Sequence, residues 1–301
     1  MKLEESIKLF CDYITTERRL AEGTVRNYRT DLEDLVSYVS VQGVETLEQL
    51  DARDLRAWEM EHLERGETPG TVKRRLSSVG SWLRYLRRQG LFDRDLMAKV
   101  SVPRQPKRLP VFFRESETAR LYDETLFGDD FIGRRDRLIL RILYETGIRR
   151  AELVGLKESS VDLHALTLKV CGKRNKERLI PIEIELAHNI SDYLALKHQE
   201  WDDREWMFVG RKGKQITADD VYKTVKRYMT ALSNADRISP HVFRHSFATH
   251  IIGEGGNIEA VRNLLGHESL ATTEIYTHVS REYLKDVYRQ AHPRGRRRKG
   301  E

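Results

Sequence analysis

Cysteine is nearly absent: Cys11 and Cys171 are the only two in 301 residues. Standing 160 positions apart, they exclude a disulfide framework, and a reducing, cytoplasmic setting is expected. Long apolar runs are missing too. None approaches the ~18 residues a membrane helix requires, so no membrane partner is expected. Glu4 and Glu5 stand where a signal peptide would place its apolar stretch, so export is not expected. Net charge is also scarce. Of the formal +6, the tail Arg294-Gly-Arg-Arg-Arg-Lys299 and its surroundings supply +4, leaving +2 for the rest. Proline is sparse, at seven, and three of the seven fall between 101 and 110.

What is present is 39% hydrophobic and 33% charged residues, the mix of a globular chain. At ~150 residues per domain, the length suggests two domains. The charge is sharply segregated. Residues 31–67 carry eleven acids and three bases, whereas residues 73–107 carry ten bases and two acids. Such a separation points to one basic surface facing a polyanion; two unlike solvated helix faces are the plainer alternative.

The first ~105 residues read as all helix. Thr24 is positioned to cap a helix carrying Val25, Tyr28, Leu32, Leu35 and Val39. Asp51 is positioned to cap a second, and Thr68-Pro69 to open a third with proline at its first position. On that third helix Val72, Leu76, Val79, Leu83 and Leu86 form a core stripe. Lys73, Ser77, Gly80, Arg84, Arg87 and Arg88 share another face, where small residues would let a phosphate backbone approach. Residues 101–110 read as an extended basic linker. Beyond it, helices are predicted at 116–126, 135–144, 185–199, 217–235, 240–253, 257–265 and 281–290, with a loop over 127–133. A hairpin is predicted from a strand over 161–170 and another over 177–182. Gly266 sits where a helix stop belongs.

Several chemically able groups are scattered along the chain. Thr146-Gly-Ile-Arg149 places Arg149 at a helix junction, and Gly172-Lys173 places Lys173 at a hairpin tip. His241 and Arg244 share a face at a helix N-terminus, where an anion is favoured. His267 ends one helix, and Tyr276 sits among polar neighbours. His241, His245 and His267 could form a metal set; the missing Glu of H-E-x-x-H and the nearby Arg244 cation speak against it. No metal or other cofactor is expected. Two arginines, a lysine, two histidines and a tyrosine suit phosphoryl transfer to a protein nucleophile. Arg149 and Arg244 would offset charge on the non-bridging oxygens, the task magnesium performs elsewhere. A phenol of pKa ~10 needs a base or a strongly positive pocket, which His241 or the arginines can supply. Lys173 suits the acid that protonates the departing alkoxide.

The motifs T-G-I-R-x-x-E-L, G-K-x-N-K-E-R, H-x-x-R-H-x-F-A-T-H, L-G-H and T-T-x-I-Y-T-H-V occur in this order. They resemble the tyrosine recombinase (phage integrase) family, and within it the Xer site-specific recombinases. The resemblance implies a mainly α chain with a small antiparallel β-sheet. A SAM-like helical core-binding domain would span 1–100, a linker 101–110, an α+β catalytic domain 111–293 and a basic tail 294–301. It implies catalytic roles for Arg149, Lys173, His241, Arg244 and His267, with Tyr276 as the nucleophile that forms a 3′-phosphotyrosyl bond. DNA contacts are expected from Lys73, Arg74, Arg84, Arg87, Arg88, Arg104 and Lys107.

The partners implied are a double-stranded recombination site, three further protomers (the same chain or a second Xer-type recombinase), and a division-associated DNA translocase. Residues 281–290 are the candidate exchange helix. The cellular task implied is resolution of chromosome or plasmid dimers; a mobile-element integrase or transposase and a type IB topoisomerase are the alternatives. Two departures from the Xer pattern stand out: Arg174 replaces the glycine of G-K-G, and the 127–133 loop is long.

Overall fold

The computed structural model describes residues 1–101, 111–172, 176–235, 238–255 and 257–266. The chain divides into two compact units, Met1–Arg108 and Leu109–Glu301.

The first unit is built from α1 (Leu3–Thr16), α2 (Glu22–Ser40), α3 (Ala52–Glu64) and α4 (Pro69–Arg88). Each turns one apolar stripe inward, and Trp58 and Trp82 are fully buried in the shared core. The sequence's cap signals hold for two helices. Asp51 accepts from Arg53 N at 3.3 Å while Asp54 reaches back to Asp51 N at 2.7 Å. Thr68 Oγ1 accepts from Thr71 N at 3.3 Å, with Pro69 at the first helical position. Thr24 is not a cap. The helix has already begun at Glu22, because Ala21 O accepts from both Thr24 N and Val25 N.

The second unit is organised around α6 (Phe131–Thr146), which is buried on almost every side and packs against α8 (Ile184–Glu200), α9 (Ala218–Leu232) and α10 (Pro240–Gly253). The predicted 127–133 loop is shorter than expected. Asp130 accepts from Gly133 N at 2.8 Å and starts the helix at Phe131. Gly133 is required there, since a Cβ would lie 1.9 Å from Gly128 O. The predicted 116–126 helix stops at Ala119 (α5, Glu115–Ala119) and continues as two 3-10 turns. Between them Asp123 is extended, and its carboxylate takes Thr125 N instead of leaving that donor to a helix.

The hairpin is a three-stranded antiparallel sheet: β1 (Val161–Asp162), β2 (Thr167–Cys171) and β3 (Glu177–Pro181). The single strand expected over 161–170 is cut by a turn. Asp162 Oδ1 accepts from Ala165 N at 2.7 Å, and Leu166 takes φ 52° before β2 begins. Val161 pairs with Leu168, and Cys171 with Glu177 at the tip. The fold closes with α10, which matches its predicted bounds, and α11 (Ile258–Leu265), whose stop at Gly266 has φ 63°. The linker residues 102–110 and the predicted 281–290 helix lie outside the described residues. Among the described residues, no helix is long and apolar enough to cross a membrane.

Candidate active site

Gly147 ends α6 in the left-handed conformation, at φ 60°, with its N–H bonded to Leu143 O. The turn needs glycine twice over: the dihedral favours it, and a Cβ would stand 2.6 Å from the Phe247 ring. The chain then passes Ile148, fully buried, and reaches Arg149, which precedes α7 (Arg150–Val154). Glu152, three residues on, takes Arg149 N at 2.8 Å on one oxygen and Arg149 Nη1 at 2.8 Å on the other. That spacing puts an acid at the N-terminal turn, where it suits the helix dipole.

Arg178 on β3 reaches the same carboxylate, with Nη1 at 3.0 Å and Nη2 at 2.8 Å. Burial pushes the Glu152 carboxyl up, but Arg178 and then Arg149 outweigh it and hold the group below its ordinary value.

Arg244 approaches from the first turns of α10. It donates from Nη1 to Gly147 O at 2.8 Å and from Nη2 to Leu265 O at 2.5 Å. Among the described residues its hydrogen bonds go to carbonyls and not to a carboxylate. Burial, and then the Arg149 cation, press its guanidinium down to about 10, so it remains charged at neutral pH. Arg149 Nη2 also faces Gly266 O, at 3.4 Å. The two arginines singled out from sequence are thus brought to one place, at the carboxyl end of α11.

His241 stands one turn earlier on α10 with an exposed edge. Partial desolvation, then Arg150 and Arg244, lower its pKa, which keeps the imidazole neutral and able to accept a proton. Further along the helix, Ser246 Oγ accepts from Phe113 N at 2.8 Å, and His250 Nδ1 lies 3.0 Å from Tyr144 Oη. These buried contacts set the rotation of α10 about its axis.

Three cations, Arg149, Arg178 and Arg244, therefore surround one carboxylate. The excess positive charge is partly buried, and an arriving anion offsets the cost of holding it there. Among the described residues, no cluster of three His, Cys, Asp or Glu is placed to hold a metal. Lys173, His267 and Tyr276 lie outside the described residues, as do Arg104, Lys107 and the basic tail. Sequence reasoning does not single out Glu152 and Arg178, although both stand inside its motifs. Their 26-residue separation carries no signal that they touch.

In the first unit, the basic face of α4 lines a groove of about 520 Å³ that includes Lys73, Ser77, Arg84 and Arg87. Gly80 lies in that groove, and a Cβ there would stand 3.6 Å from the Met97 side chain, an ordinary contact that does not by itself require glycine. Lys73, Arg84 and Arg88 are exposed. Arg87 pairs with Asp95 at 2.8 Å, and Arg74 is bonded to the buried Asp31, which also accepts from Ser78 Oγ.

Comparison with known proteins returns one consistent family. The sequence model of the phage integrase family matches residues 112–282, and that of the phage integrase N-terminal SAM-like domain matches residues 7–90. The tyrosine recombinase XerC of Corynebacterium efficiens is 35% identical over 290 residues, which cover 96% of this chain and 92% of the relative. The tyrosine recombinase XerD of Yersinia pestis is 36% identical over 298 residues, covering 96% and 97%. The XerH site-specific recombinase, solved bound to a palindromic difH substrate in a post-cleavage complex, superposes with a TM-score of 0.71. It covers 93% of this chain and 82% of that chain at 21% identity, a likeness of fold.

Proposed function

The chain belongs to the phage integrase family and is a site-specific tyrosine recombinase, and from that premise we propose how its own residues carry the reaction. Its substrate is a double-stranded DNA recombination site. Tyr276 Oη attacks a scissile phosphate, forming a 3′-phosphotyrosyl bond as the bond to the 5′-oxygen breaks. His241 takes the phenolic proton, and Lys173 gives one to the departing 5′-oxygen. Arg149, Arg244 and His267 donate to the non-bridging oxygens as negative charge builds on them. The 5′-hydroxyl of the partner duplex then attacks the phosphotyrosine, so each bond lost is replaced by one of similar energy.

What supports this reading is the meeting of Arg149 and Arg244 at the end of α11, each with guanidinium N–H groups left over after its bonds to the described residues. A donor aimed at such developing charge is worth ~3 kcal/mol, about a hundredfold in rate. The first unit grips the duplex through Lys73, Arg84 and Arg88 on α4, with Arg104 and Lys107 following the backbone.

Four protomers act on two sites, through this chain alone or with a second Xer-type recombinase. The cellular task is resolution of chromosome or plasmid dimers in the cytoplasm, with a division-associated DNA translocase as regulator.

A nicked suicide substrate tests the chemistry. The wild-type chain is expected to accumulate a covalent DNA adduct, and Tyr276→Phe to lose it while binding DNA unchanged. An adduct that survives the substitution rejects Tyr276 as nucleophile.

A further inference from the structure

The carboxyl end of α11 presents three consecutive carbonyls, and a different arginine takes each. Leu264 O accepts from Arg178 Nε at 2.8 Å, Leu265 O from Arg244 Nη2 at 2.5 Å and Gly266 O from Arg149 Nη2 at 3.4 Å. The last carbonyls of a helix have no partner within it and carry the negative end of its dipole, so guanidinium groups settle there. Two of the three arginines have a role on the phosphate in the mechanism above. Arg178 has none. Its side chain is 14% exposed, and all three of its guanidinium nitrogens are engaged, Nε with Leu264 O and the two Nη with Glu152.

We propose that Arg178 is a positioning residue that keeps Arg149 available to the scissile phosphate. The inference rests on the reading of Arg149 and Arg244 given above. A carboxylate grips a guanidinium most strongly in a two-pronged pair. Arg178 occupies both oxygens of Glu152, so Arg149 is held by a single side-chain bond, Nη1 to Oε1. Its Nη2 stays turned toward Gly266 O at the end of α11. With Arg178 removed, one lone pair is freed on each Glu152 oxygen, Oε2 keeping its bond from Arg149 N, and both become open to the Arg149 guanidinium. The guanidinium then rotates into the two-pronged pair, and its donors leave the phosphate.

The same side chain ties β3 to α11 through Leu264 O, and so sets the distance between Glu152 and the carbonyl that holds Arg244. Lysine cannot substitute. One ammonium keeps the charge but does not span two carboxylate oxygens and a carbonyl in a fixed plane.

The test uses the full chain, a nicked suicide duplex and single-turnover adduct formation, with the scissile phosphate either an ordinary diester or an uncharged methylphosphonate. Arg178→Ala and Arg178→Lys are compared with wild type. On the diester, both variants are expected to form adduct about ten- to a hundredfold more slowly, the range that misplacement of a catalytic group produces. DNA affinity is expected to stay within about twofold, since the duplex contacts of the first unit are untouched and Arg149 acts chiefly on charge that builds at the scissile phosphate during the reaction. On the methylphosphonate the deficit is expected to shrink toward wild type, because the charge that Arg149 offsets is gone.

If the alanine variant does not fold, the lysine variant carries the same comparison. An equal deficit on both substrates, a wild-type rate in either variant, or full rescue by lysine overturns the proposal. A wild-type chain that forms no adduct on the diester rejects the underlying mechanism instead, and the proposal with it.

Discussion

Gly147→Ala perturbs the active site through a turn and not through a reacting group. Two costs follow from its geometry. A φ of 60° puts an L side chain in the left-handed region, at about 1–2 kcal/mol. The new Cβ would also meet the Phe247 ring at 2.6 Å and the Leu265 side chain at 2.9 Å, an overpacking worth a further ~1–3 kcal/mol. Gly255→Ala provides the control. It has the same backbone demand, φ 84°, but nothing among the described residues within 4 Å of the added atom. The control therefore carries only the first cost. At about 2–4 °C per kcal/mol for a unit of this size, thermal unfolding followed by circular dichroism separates the two variants.

Function separates them further. Gly147 O is the carbonyl that holds Arg244 Nη1, and Leu265, against which the Cβ collides, supplies the other. A shift of ~1 Å in Arg244 costs about a hundredfold in adduct formation, whereas Gly255→Ala is expected to cleave as wild type does. If Gly147→Ala melts no lower than Gly255→Ala and cleaves equally well, the reasoning from this turn to Arg244 is wrong.

Three other outcomes are expected. Glu152→Gln replaces a buried acceptor of four hydrogen bonds and is expected to cost about 1.5–3 kcal/mol, read as a lowered melting temperature at pH 7. Because the carboxyl is held below its ordinary value in the fold, that stabilisation is present above the unfolded value of ~4.3 and lost as pH falls further. The gap between wild type and variant therefore narrows in acid; a gap independent of pH would contradict the ion pairing. His241 has a lowered pKa, so adduct formation should rise with pH through a midpoint below the ordinary ~6.5 and level off by neutrality. A midpoint above that value, or an acid limb that persists in His241→Gln, would remove it as the base. Replacing Lys73, Arg84 and Arg88 together should weaken DNA binding and flatten its dependence on salt. An unchanged slope would place the DNA on another surface.

Much of this chain is legible in its residues alone. Asp51 and Thr68-Pro69 announce two helix starts, and Pro240 and Gly266 bound two others, because caps act within one turn of the chain. The order of motifs identifies the family by the same local means. Expectation and fold part where one side chain redirects the backbone. Asp130 begins α6 early, Asp123 breaks a helix, and the turn after Asp162 splits a strand. Periodicity does not register such single bonds.

Arg149 and Arg244 are recognisable as residue types, but not the company they keep. Only packing brings Glu152, Arg178 and the carbonyls of Leu264, Leu265 and Gly266 to one point. Only packing commits Arg74 to Asp31, 43 residues away, from within a run of bases that looks uniform. Local chemistry determines which residues can cap, turn or titrate. Which charges neutralise one another, and which remain for a phosphate, depends on distances between segments remote in sequence, and those distances are properties of the folded core.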